Sequence, residues 1–93
     1  MTVSREQVIR ALRDVLDPEL GMSVVDLGLI YDVRIDGGRV HITMTLTTQG
    51  GPLHAAMAEW VRQAVGRVHG VEAVAVSITF EPPWTPDRIA QGT

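Results

Sequence analysis

The chain has 93 residues, 45% apolar and 20% charged, with a formal charge of −3. That is one domain's worth of chain with a single core, without an apolar run near the ~18 residues of a membrane span and without the clustered cations that nucleic acid requires. All eight cations are arginine, and lysine and cysteine are absent, which removes Schiff-base chemistry, the P-loop lysine, thiolate nucleophiles, disulfides and iron–sulfur ligation by the chain's own sulfur.

In chain order, Ser4 predicts an N-cap, with Gln7 completing a capping box, and Val8, Leu12 and Val15 recur at helical spacing. A helix over residues 5 to 16 is expected, stopped by Pro18, which disfavours helical backbone at Asp17. Residues 17 to 28 show no period and read as a long connection. Leu29, Tyr31, Val33 and Ile35 then alternate, as do Val40, Ile42, Met44 and Leu46 beyond Asp36-Gly37-Gly38-Arg39. A two-residue turn at Gly37-Gly38 sets Ile35 opposite Val40, Val33 opposite Ile42, Tyr31 opposite Met44 and Leu29 opposite Leu46. The other face, with Asp32, Arg34, His41 and Thr43, is polar.

Leu53, Met57, Val61, Ala64, Val65 and Val68 mark a second helix, expected to end at Gly70 as a left-handed cap, with Trp60 bordering its stripe. Alternation from Val71 to Phe80 predicts a third strand. Pro82-Pro83-Trp84-Thr85-Pro86 follows, and residues 85–93 read as a flexible tail. The order α-β-β-α-β predicts a single α+β domain over residues 1–93: a sandwich with a small mixed three-stranded sheet and both helices packed on one face. The third strand is expected to run parallel to a hairpin strand through a right-handed crossover. The polar sheet face and the strand edges leave room for a homodimer.

Several residues carry candidate chemistry. Thr47 leads into Gly50-Gly51-Pro52 at the start of the second helix, where free backbone amides at a positive helix end would suit an anion; an ordinary glycine loop is the competing reading. Asp17, Glu19 and Asp26 put three carboxylates into ten residues, a pattern for a hard metal or acid–base pair, or equally for local capping. His54 projects from the first turn of the second helix, as a rim group or a solvated histidine. Trp84, flanked by prolines, is either a partner anchor or a lid on its own domain. No nucleophile is paired with a base, so an enzyme is the weaker expectation.

Taken together, Asp17-Pro18-Glu19, Val25-Asp26-Leu27-Gly28-Leu29-Ile30, Met44-Thr45-Leu46-Thr47 leading to Gly50 and Pro52, and Glu81-Pro82-Pro83-Trp84-Thr85-Pro86 resemble the successive motifs of the metal–sulfur cluster biosynthesis domain, the PaaD-like and SufT-like group. The resemblance spans nearly the whole chain. It implies an accessory or scaffold in iron–sulfur cluster assembly, in contact with an iron–sulfur carrier, an assembly ATPase or a client apoprotein, with no tightly bound cofactor and at most a transient iron–sulfur cluster held through a partner. It also implies a cysteine at the position that Gly51 occupies here. The alternative expectation is a small-ligand or anion-binding module built on the Gly50-Gly51 amides. The N-terminus shows no basic region followed by an apolar stretch, and the expected compartment is the cytoplasm.

Overall fold

The computed structural model describes residues 2–47 and 53–89. Its elements run α1 (Arg5–Leu12), β1 (Ile30–Asp36), β2 (Arg39–Met44), α2 (Leu53–Gly66), β3 (Ala73–Ile78) and a 3-10 turn at Pro86–Arg88. The strands form one sheet in the order β1-β2-β3, with β1 antiparallel and β3 parallel to β2. This is the mixed three-stranded α+β sandwich that the order of elements predicts.

The local chemistry of each element accounts for its boundaries. Ser4 caps α1: its hydroxyl accepts from the Gln7 amide, and the Gln7 side chain accepts from the Ser4 amide. The helix stops at Leu12 rather than at residue 16. Leu16 pairs with Ser23 in an isolated antiparallel bridge, where the Val24 amide donates to Val15 and the Asp17 amide to Met22. The chain is thus extended before Pro18 can act. In the hairpin Asp36 pairs with Arg39, Ile35 with Val40 and Val33 with Ile42, as the turn dictates, and Gly37 takes a φ of +60°.

Beyond Asp32 the register shifts: Met44 faces Ile30, not Tyr31. Tyr31 is the extra residue of a bulge. Its hydroxyl is engaged elsewhere, donating to the Pro82 carbonyl at 2.8 Å. The predicted pairing of Leu29 with Leu46 lapses with it; the Leu29 carbonyl instead accepts from the Thr45 amide. Helix α2 ends at Gly66, short of Gly70, and Arg67, Val68 and Val71 bond three residues back in successive turns. Gly70 still adopts the left-handed conformation, at φ +93°. The third strand spans six residues rather than ten because its ladder partner β2 has only six.

The core lies between one sheet face and the helices. Val40, Ile42 and Met44 from β2 meet Val8 and Leu12 from α1, and Met57, Val61 and Val65 from α2. Val24 and Leu27, both from the stretch that reads as a periodless connection, are fully buried in the same cluster, as is Leu29 just after it. That connection is a wall of the core.

The C-terminal segment closes over this wall. Trp84 donates its indole N–H to the Leu27 carbonyl at 2.6 Å, and the Arg88 guanidinium lies 4.8 Å from the Tyr31 ring centroid. Residues 85–89, expected as the start of a tail, pack here against Gly28 and Tyr31; residues 90–93 lie outside the described residues. Gly28 has φ +75°, and a Cβ there would collide with the Arg88 carbonyl. Both constraints require glycine. Gly28→Ala is expected to cost about 2 kcal/mol from the left-handed backbone alone. Urea unfolding measures that loss, and hydrogen exchange should show faster opening at Arg88 and Ile89.

Candidate functional site

Strand direction decides where the candidate residues gather. The parallel pair β2 and β3 runs out at Met44 and Ile78, and the antiparallel β1 enters at Ile30, so all three strand ends share one end of the sheet. Thr47, residues 79–83 and the first turn of α2 follow from it. The His54 ring lies 6.0 Å from the Phe80 ring, centroid to centroid, which places the start of α2 beside the exit of β3. Gly50, Gly51 and Pro52 belong to the joining segment that falls outside the described residues.

Asp17 is buried, at 5% exposure, and one carboxylate oxygen accepts from the amides of Glu19 at 2.8 Å and Leu20 at 3.1 Å. Its carbonyl accepts from Gly21 and its amide donates to Met22. The residue thus fastens its own turn, the capping arrangement expected of an aspartate in this setting. Glu19 is exposed at the tip of that turn. Asp26 leans to α1, ion-paired with Arg13 at 2.9 Å, while its amide donates to the buried Ser23 hydroxyl. Among the described residues no three of His, Asp and Glu are gathered to hold a metal ion. Asp17, Glu19 and Asp26 therefore do not make the hard-metal centre that their sequence spacing allows.

Trp84 is half-buried with its one polar atom already bonded to Leu27, so its lid role is the one realised in this structure. Two residues matter here that sequence reasoning passed over. Tyr31 reads as a core position by alternation yet serves as the hydroxyl catch for Pro82; its signal is a tyrosine just after a loop glycine with a proline pair downstream. Thr45, between the apolar Met44 and Leu46, is fully buried and its hydroxyl has no partner among the described residues. A polar side chain flanked by core residues at a strand end is the visible sign of such a position.

A resident iron–sulfur cluster does not fit these groups. Thiolate is its characteristic ligand and the chain has none, while of the candidate carboxylates Asp17 fastens a turn and Asp26 pairs with Arg13.

Comparison with known proteins gives a consistent set of likenesses. The family model described as iron–sulfur cluster assembly protein matches residues 5–78. An Fe–S protein maturation auxiliary factor from Bacillus subtilis, YitW, is 43% identical over 88 residues, covering 94% of this chain and 86% of that protein. An iron–sulfur cluster carrier protein from Synechocystis is 42% identical over 97% of this chain, but the matching stretch makes up only 26% of that protein. The crystal structure of a domain of unknown function from Bacillus anthracis superposes with a TM-score of 0.87 at 34% identity, covering 92% of this chain and 83% of that one.

Three substitutions at two positions separate scaffolding from chemistry. Asp17→Ala is expected to lose about 2 kcal/mol by stranding two amides, while Asp17→Asn, which keeps an acceptor oxygen, loses much less; equal losses in urea titrations would contradict the turn-fastening role. Thr45→Val, which removes a buried hydroxyl without a partner among the described residues at constant shape, should leave stability unchanged or raise it by up to about 1 kcal/mol. A drop in melting temperature would mean that the hydroxyl has a partner.

Proposed function

The chain belongs to the iron–sulfur cluster assembly protein family, and from that membership we propose that it is a non-enzymatic accessory or scaffold in the assembly of clusters and the maturation of client proteins. It works by protein–protein contact, with the cluster ligated throughout by a carrier, an assembly ATPase or a client apoprotein. One observation carries the mechanism: a member of this family, matched over residues 5–78, has no cysteine anywhere. A thiolate at the position of Gly51, near the start of a helix, would have a lowered pKa and could ligate iron or pass sulfur; glycine does neither. The maturation factor and carrier names borne by its relatives support the same pathway.

The geometry is in keeping with such a role. The buried carboxylate, the indole N–H and the tyrosine hydroxyl at the sheet end are occupied in holding loops to one another. They tie the loops to one another, and a surface ordered before docking lowers the ordering cost of docking.

Anaerobic incubation with ferrous iron and sulfide, followed by desalting, should leave the chain without iron, whereas Gly51→Cys should retain some. In the native host, deletion of the chain should lower the activity of cluster-dependent enzymes at constant polypeptide level, and the cysteine-free chain should restore it. Undiminished cluster occupancy in the deletion strain would refute the assembly role; a stable cluster on the unmodified chain would refute the contact-only mechanism.

A further inference from the structure

We infer that the groove between α2 and residues 14–18 is the docking face for the iron–sulfur cluster carrier, an inference that rests on the assembly role proposed above. Three large apolar side chains are exposed among the described residues: Leu16 at 52%, Leu20 at 49% and Trp60 at 39%. Exposed apolar residues scattered singly need no explanation, but these converge. Leu16 and Trp60 line one groove of about 430 Å³ together with Pro18 and Ala64. Leu20 belongs to the adjoining turn, held by its amide to Asp17.

The helix shows why this face is left over. Met57, Val61 and Val65 form the inner stripe of α2 and are sealed in the core. Trp60, Ala64 and Arg67 form a second stripe beside it, at i, i+4 and i+7, which borders the groove. An indole in a recess with a polar rim is the usual composition of an energetic hot spot.

Three observations select the occupant. In the Synechocystis carrier, a stretch similar to nearly all of this chain is one quarter of a longer protein, so there the same kind of domain is tethered to carrier sequence at high effective concentration. Next, Leu16, Pro18 and Leu20 alternate along the chain with Asp17 and Glu19, so a partner seated in the groove lies against the turn that the Asp17 carboxylate fastens. Finally, the rim holds one charge of each sign without an ion-pair partner among the described residues, Asp14 and Arg67, while Arg13 is taken by Asp26 and Arg62 by Glu59. The complementary surface is an apolar anchor flanked by one basic and one acidic group.

The test is isothermal titration of the purified full chain with the host's iron–sulfur cluster carrier, purified with its cluster, alongside sedimentation of the chain alone. Trp60→Ala should weaken binding about tenfold or more, and Leu16→Ser and Arg67→Glu should each weaken it several-fold. Circular dichroism and melting should be unchanged, and Arg34→Ala, on the open sheet face, should bind as the parent does. Equal affinity in all variants overturns the groove and leaves the assembly role standing. No binding by the unmodified chain overturns both the groove and the carrier as partner. A parent dimer that Trp60→Ala dissolves assigns the groove to a second copy and overturns the carrier as its occupant.

Discussion

Six residues, Arg39–Met44, are hydrogen-bonded on both edges, antiparallel to β1 and parallel to β3, and their inward side chains Val40, Ile42 and Met44 are sealed from water. A parallel neighbour cannot be reached by a tight turn, so the chain must leave β2 and cross the sheet before returning as β3. Helix α2 is that crossing. Its length and its buried stripe of Met57, Val61 and Val65 follow from having to cover the strand it connects. The same constraint puts the exits of β2 and β3, the entry of β1 and the first turn of α2 at one end of the molecule.

What is built at that end is a set of mutual fastenings. The Asp17 carboxylate holds residues 19 and 20, the Asp26 carboxylate holds Arg13, the Tyr31 hydroxyl holds Pro82 and the Trp84 indole holds Leu27. Each would read as a chemical group if seen alone in the sequence. Their partners turn them into joints, and the thiol that would make chemistry there is missing from the chain. The large apolar side chains that the fold leaves exposed among the described residues are Leu16, Leu20 and Trp60.

Where local chemistry decided the structure, the sequence was readable. The Ser4 and Gln7 capping box, the turn at Gly37-Gly38 with its first pairs, the alternation of β3 and the left-handed Gly70 all involve residues a few positions apart. Distant partners decided the rest. Tyr31 leaves the predicted register, and its hydroxyl partner is 51 residues away; α1 is cut short by a pairing of Leu16 with Ser23 that no helical period reveals. Residues 17 to 28 read as a long connection without a period because Val24 and Leu27 are buried without the spacing of any regular element. For the site, spacing alone could not tell a carboxylate that fastens a turn, as Asp17 does, from one that binds a ligand. Gly50, Gly51 and Pro52 fall outside the described residues, so their reading still rests on sequence.

The C-terminal closure has a consequence for how the molecule is made. Trp84 and its acceptor Leu27 are 57 residues apart, and a chain emerging from the ribosome presents its N-terminal part first. Hairpin, helix and sheet can be assembled while the loop around Leu27 still has an open carbonyl and Tyr31 a free hydroxyl. Only when residues 82–84 have followed can the Pro82 carbonyl and the Trp84 indole arrive to close it. The two loops that meet there are therefore joined after the elements between them have been made, and the closure depends on a sheet already in place.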